Sequence, residues 1–274
     1  MFTDFLMELN SRAALIRNDG DYLKDDFLHC GVCNEPKQAV KIIPFANNKK
    51  LIVNLQCRCE REKEEKYRLE LAEQERQRRI QYLIRHGLTY PKYRECKFSA
   101  DDQRNPDITK LCCNYVRHFQ EMQDINNGIL FYGDSSKGKT FYACCIANAL
   151  IQREVPVLVS TLSNLVQNRV KAMKGEAYEI SLNEFKCIVL DDLGTENITQ
   201  TAFNIIDEIY LSKKPLIITS NLGPSQLKFS DMERKRIYER ILEMCGTKIL
   251  VKNNKSRLQS GIEKGKTADN ILKS

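Results

Sequence analysis

The sequence predicts an α/β protein whose larger part is a parallel β-sheet with helices on both faces, preceded by a small cysteine-bearing segment and a charged helix. Three observations carry this. From about residue 92 onward, short apolar runs alternate with helical patterns, the arrangement that buries parallel strands on both sides. One of those runs leads through Gly133-Asp134-Ser135-Ser136-Lys137-Gly138-Lys139-Thr140 into a helical pattern, which is the context the phosphate-binding pattern GxxxxGK[ST] requires. A later run, Cys187-Ile188-Val189-Leu190, ends in Asp191-Asp192, two acids that an apolar strand has no use for unless they meet a cation, a proton or a helix start.

Taken in order, Phe2, Phe5, Leu6 and Leu9 fall at roughly helical spacing and suggest a short amphipathic helix within the first 28 residues. Two β-prone runs, 40–45 and 51–55, flank the turn-like Ala46-Asn47-Asn48 and read as a hairpin between two cysteine pairs. From Arg58 to Arg79 there are 8 basic and 7 acidic residues with neither Gly nor Pro, which favours a solvated helix braced by charges three and four apart. Gly87 and Pro91 then break the pattern and mark a boundary. The expected division is a domain at 1–60, a helical linker at 61–91 and a larger domain at 92–274. Within the last, strands are expected at 129–132, 155–160, 185–190, 216–219 and 247–251, and helices at 140–152, 162–174 and 199–211.

The chain has 274 residues, 42% hydrophobic and 29% charged; at about 150 residues per domain this is a prior for two domains with a real core. The opening MFTDFLMELN carries acids and lacks the basic flank of a secretory signal, and no run approaches the ~18 apolar residues of a membrane span. A cytoplasmic protein with no membrane partner is expected. Its 11 cysteines are an odd number, better suited in such a compartment to metal binding and reduced thiols than to disulfides. The formal net charge is +7, of which +6 lies between Lys228 and Ser274, with 12 basic against 6 acidic residues. Such a surplus suits a polyanion.

The phosphate loop supplies backbone N–H groups and a helix N-terminus for phosphate oxygens, Lys139 for the β- and γ-phosphates, and the Thr140 hydroxyl for Mg²⁺. Gly133, Asp134, Ser135, Ser136, Lys137 and Gly138 complete the cradle; Ser136 stands where a glycine is frequent, so a positive φ there would strain it. Asp191 would hold Mg²⁺ and Asp192 would orient or deprotonate the attacking water. Asn221, ending the apolar run Leu216 to Thr219, could bond the γ-phosphate or that water, or serve as a turn residue. Cys30-x2-Cys33 and Cys57-x-Cys59, 23 residues apart, can converge on one Zn²⁺ as four thiolates, with His29 as a substitute ligand. The other seven cysteines read as ordinary burial or reduced thiols.

In the order of these motifs the chain resembles the AAA+ ATPases of the DnaC/DnaI helicase-loader group, with the IstB transposition helper ATPases as close relatives. The resemblance runs from about Tyr93 to the end of the sequence and also takes in Cys96-Lys97-Phe98, Thr219-Ser220-Asn221, Arg236-Ile237-Tyr238-Glu239-Arg240-Ile241 and Lys255-Ser256-Arg257. It implies an AAA+ P-loop fold of three α/β/α layers, an Mg²⁺-dependent ATPase binding ATP and ADP, Asn221 as sensor 1, Arg240 as arginine finger and Arg257 as sensor 2. It further implies self-association through the ATPase domain, single-stranded DNA as a ligand, and a zinc domain that grips a replicative, DnaB-like helicase hexamer. Lys171, Lys174 and Arg169 fall in the region that lines the central channel in that family, which would make them DNA contacts; on their own they read as a solvated helix face. Without the resemblance, Arg240 reads as one exposed helix cation among Arg234, Lys235 and Arg236. A transposase helper, and a zinc-dependent DNA-binding adaptor whose nucleotide site is only a switch, stay open as other readings of the same residues.

Overall fold

The computed structural model describes residues 19–43, 49–135, 138–194, 199–226 and 232–252. The helix expected around Phe2 to Leu9, the turn at residues 46–48, Ser136, Lys137 and Arg257 lie outside the described residues. The chain divides into two compact units, 1–76 and 77–274.

In the first unit, strands β1 (Tyr22–Lys24) and β2 (Phe27–His29) form one antiparallel pair, and β3 (Gln38–Ile43) and β4 (Lys49–Asn54) form the second, with Val40 opposite Ile52. The hairpin expected between the two cysteine pairs is the second of these. Helix α1 (Arg58–Gly87) begins here and is one turn and more longer than the charged run alone. Its last part turns apolar, and Ile80, Leu83 and Gly87 are buried, so packing takes over where charge pairing stops.

The second unit holds the sheet. Strands β5 (Ile129–Tyr132), β6 (Val157–Ser160), β7 (Cys187–Leu193), β8 (Leu216–Ser220) and β9 (Thr247–Leu250) lie in the order β6-β7-β8-β5-β9, all parallel. Side chains alternate between its faces as strand geometry requires. Ile129, Phe131, Val157, Val159, Cys187, Val189 and Ile217 share one buried cluster with helices α3 (Pro106–Arg117), α4 (Phe119–Asp124) and α5 (Lys139–Ile151). Leu130, Leu158, Ile188, Leu190, Leu216 and Ile218 share the other with α6 (Leu162–Met173), α7 (Gln200–Leu211) and α8 (Met232–Met244). The three α/β/α layers expected from the motif order are therefore present.

Two local features set up the site. Before the sheet, the chain between α1 and the short helix α2 (Pro91–Arg94) is fastened to β6: the Thr89 N–H and hydroxyl both donate to the Val159 carbonyl, at 3.2 and 2.8 Å. The pairing of β7 with β8 shifts register between Leu190 and Leu193, and Asp192 sits at φ 59°. Across this bulge Asp191 is buried and Asp192 exposed.

Candidate functional site

Where β5 ends, the chain enters the loop toward α5 through Gly133 at φ 131° and leaves it through Gly138 at φ 103°. A Cβ on Gly133 would also lie 2.8 Å from the Val251 carbonyl oxygen, so both conformation and space demand glycine. Gly138 precedes Lys139, the first residue of α5. The first N–H groups of this helix lack intrahelical partners and its dipole favours an anion there. Asp134 and Ser135 are exposed on the same loop.

Lys139 is 7% exposed. Its ammonium donates to the carbonyls of Gly133 (2.8 Å) and Asp134 (2.7 Å) and to Asn221 Oδ1 (2.8 Å). Burial lowers its pKa against the opposing pull of Asp192, Asp134 and Asp191. A polyanionic ligand would offset that burial directly. Asn221 thus belongs to the site, holding Lys139 with its oxygen while its amide nitrogen approaches Asp192 Oδ1 at 3.5 Å.

Asp191, 3% exposed, is surrounded by donors. The Thr140 hydroxyl donates to Oδ1 at 2.6 Å and the Thr219 hydroxyl to the same oxygen at 2.7 Å. The Tyr93 hydroxyl donates to Oδ2 at 3.1 Å, and Lys92 Nζ stands 3.8 Å from that oxygen. Thr219 in turn accepts the Asp192 N–H at 2.8 Å, which locks the bulge of β7 to β8. Burial pushes the Tyr93 phenol well above its usual range, and the charge and hydrogen bond of Asp191 add to this, so it donates as a neutral hydroxyl.

Lys92, Ser135, Gly138, Lys139, Thr140, Asp191, Asp192 and Asn221 line one cleft of about 340 Å³. A helix N-terminus, an ammonium and a hydroxyl–carboxylate oxygen pair converge there. Hard oxygens at this separation suit Mg²⁺, which takes one or two protein oxygens and leaves its other positions to phosphate and water. The residues present therefore fit a nucleotide with its magnesium. Of the nucleotide-site residues expected from sequence, all those described except Arg240 meet in this cleft or on its loop. Tyr93, Lys92 and Thr219 were not singled out individually. Only the position of Thr219, two residues before Asn221, gives any sign of its part.

Arg240 is elsewhere. On α8, it pairs with Asp207 of α7, and its guanidinium lies 5.3 Å from the ring centroids of both Phe203 and Tyr210. It is not among the residues lining the cleft. Arg169 is held at 2.8 Å by both Glu179 and Glu208, whereas Lys171 and Lys174 are exposed.

In the first unit, the thiol sulfurs of Cys30, Cys33, Cys57 and Cys59 all lie within 4.8 Å of one another. Cys30 to Cys59 is 3.4 Å and Cys57 to Cys59 is 3.2 Å. Four converging sulfurs match a tetrahedral thiolate site for Zn²⁺. His29 is not among them; its Nδ1 lies 3.1 Å from the Phe27 carbonyl oxygen and its ring stacks on Tyr22. Backbone N–H groups of Cys59 and Glu35 lower the Cys33 thiol to about 6, while burial pushes Cys57 up to about 12.

Beside the cluster, Lys37, 4% exposed, pairs with Asp21 at 2.9 Å and Glu60 at 2.6 Å. Asp21 also accepts the Gly31 N–H, inside the first cysteine pair, and Glu60 accepts the Cys57 N–H, in the second. The lysine thereby ties both pairs together. Of the other cysteines, Cys112, Cys144, Cys145, Cys187 and Cys245 are buried. Among the described residues, no helix is long and apolar enough to cross a membrane.

DnaI, the replicative helicase loader of Bacillus subtilis (strain 168), is 25% identical over 136 residues, 43% of this chain and 44% of DnaI. The chromosomal replication initiator DnaA of Aliarcobacter butzleri (strain RM4018) is 28% identical over 108 residues, 37% of this chain and 25% of DnaA. The chain thus spans less than half the length of these curated relatives. Among solved structures, the DnaC helicase loader aligns with a TM-score of 0.47 at 19% identity, covering 60% of this chain and all of that one. AMPPCP-bound DnaA from Aquifex aeolicus aligns at 0.44 and 23%, covering 65% and 56%. The family described as IstB-like ATP binding protein matches residues 59–263, three-quarters of the sequence, and the chain belongs to that family.

Proposed function

We propose that this protein is an ATPase that loads a replicative DNA helicase onto single-stranded DNA in the cytoplasm. The observation that carries the reading is the convergence of Lys139, Thr140, Asp191, Asp192 and Asn221 at one helix N-terminus. Lys139 and the loop N–H groups bind the phosphates of ATP or ADP. Thr140 and Asp191 hold Mg²⁺, which supplies charge neutralisation at the phosphates. Asp192, exposed on the cleft wall, orients or deprotonates the attacking water, and Asn221 aligns Lys139 with the terminal phosphate.

Arg240 completes the site of a neighbouring subunit, with Arg257 acting on the nucleotide of its own. Arginine's planar fork suits phosphate oxygens, and supplying it in trans makes hydrolysis depend on assembly. The zinc unit, 1–60, holds a DnaB-like hexamer; 61–91 connects it to the ATPase domain, 92–274, whose basic surface holds DNA. Hydrolysis is coupled to helicase release. The similarity to DnaI supports the choice of partner. Co-purification with the candidate helicase in ATP and in ADP tests it: retention in ATP and release after hydrolysis support loading, and no association in either overturns it.

The family match favours a second reading, an ATPase that assists a transposase on duplex DNA. A parallel pull-down against a transposase separates the two.

A further inference from the structure

Asp191 has two carboxylate oxygens, and the structure treats them differently. Oδ1 faces Thr140 in the cleft and takes both threonine hydroxyls. Oδ2 accepts instead from Tyr93, in the segment that precedes the sheet, 98 residues earlier in the chain. We propose that Tyr93 is a positioning residue for the nucleotide–metal site, anchoring Oδ2 so that Oδ1 stays aimed at Thr140. This rests on the magnesium–ATP reading above.

Tyr93 is itself fixed at every point. It is fully buried. Its N–H donates to the Tyr90 carbonyl at 3.1 Å, and its ring meets that of Tyr90 edge-on at 5.5 Å. Asn148 Nδ2, buried on α5, lies within hydrogen-bond distance of the carbonyls of Tyr93 (2.7 Å), Cys96 (2.9 Å) and Cys144 (2.9 Å) and shares its two N–H groups among them. One asparagine therefore fastens the Tyr93 segment to the helix that begins with Lys139 and Thr140. These contacts hold the phenol against Asp191 Oδ2 at 3.1 Å. Lys92 lies 5.0 Å from the Tyr93 ring centroid and adds positive charge beside Oδ2 without touching it at hydrogen-bond distance.

A carboxylate turns about its last bond with a broad, roughly two-fold preference. With Oδ2 anchored, the angle presented by Oδ1 is set. Mg²⁺ demands near-ideal octahedral geometry, while larger cations tolerate a range of coordination. Loss of the anchor is therefore felt most by Mg²⁺ and least by Ca²⁺.

The test is Tyr93→Phe in the full chain, which removes one oxygen and keeps the ring. Binding of a non-hydrolysable ATP analogue is titrated with Mg²⁺ and separately with Ca²⁺, with metal-free ADP affinity and melting temperature as fold controls. The expected result is a rise of about tenfold in half-saturating Mg²⁺, a change of less than threefold for Ca²⁺, and unaltered metal-free ADP binding. Equal Mg²⁺ requirements in the two proteins would overturn the proposal, as would equal shifts for both metals or loss of metal-free ADP binding, which would make the hydroxyl a fold element. If the wild-type chain shows no Mg²⁺-dependent analogue binding, the ATPase reading falls and this proposal with it; failure of the positioning role alone leaves wild-type binding intact.

Discussion

Thr140 donates its hydroxyl to Asp191 Oδ1 at 2.6 Å, joining the first turn of α5 to the bulged end of β7. The two oxygens that would share a magnesium ion already face each other. Replacing Thr140 by Val keeps the shape and removes the oxygen, so hydrolysis should fall about 10²-fold and the magnesium requirement should rise. Thr140→Ser should restore both. Phosphate release across a magnesium series checks this.

Arg240 is held in its own subunit by Asp207 and lies against Phe203 and Tyr210, away from the cleft. If it serves a neighbour, Arg240→Ala should lower hydrolysis by about 10³-fold while leaving ATP affinity within about twofold. Mixing Arg240→Ala with Lys139→Ala subunits should recover part of the activity, since one supplies the intact site and the other the arginine. No recovery at any ratio would place the arginine's role inside one subunit.

Lys37 joins two carboxylates that each hold one cysteine pair. Lys37→Met leaves the buried Asp21 without its cation and should destabilise the first unit by about 3 kcal/mol. Zinc content should be one per chain, and a strong chelator should unfold the first unit before the second, because metal binding supplies much of the folding free energy of so small a unit. Limited proteolysis with and without chelator reads this out; identical patterns would contradict a structural zinc.

Alkaline pH should weaken the second unit. Burial pushes Cys187 up to about 12 and raises Cys112, Cys144, Cys145, Cys245, Tyr93 and Tyr115 as well. For Cys144, a hydrogen bond with Cys96 leads that list of causes. Above about pH 9 the unfolded chain loses these protons while the native one keeps them, so stability falls as pH rises, by up to about 1.4 kcal/mol per pH unit for each such group. Urea midpoints should hold near pH 7.5 and drop progressively from about pH 9 to 10.5; a flat profile would contradict this burial.

The sheet and its loop were legible because their signals are local. Residues 129–132 form a strand as the apolar run demands, and the glycines and lysine of the loop lie next to one another in sequence. The boundaries that moved did so for tertiary reasons: β7 runs on to Leu193 because Thr219 and Ser220 hold its bulged end, through the Asp192 N–H and the Leu193 carbonyl. Tyr93 was hidden because its partner Asp191 is 98 residues away and its ring looks like any other buried aromatic. Nor does spacing reveal that Lys37 bridges the cysteine pairs. Nor does the C-terminal charge surplus reveal that Arg240 is engaged with Asp207.

The most direct measurement is phosphate release from ATP by the intact protein with Mg²⁺, alone and with single-stranded DNA and the replicative helicase, against Lys139→Ala. A weak basal rate that rises with DNA or helicase and vanishes in the variant is the expected result. Tight ATP binding with no turnover under any of these conditions, or robust turnover by a strict monomer indifferent to both partners, would contradict an assembly-dependent loader.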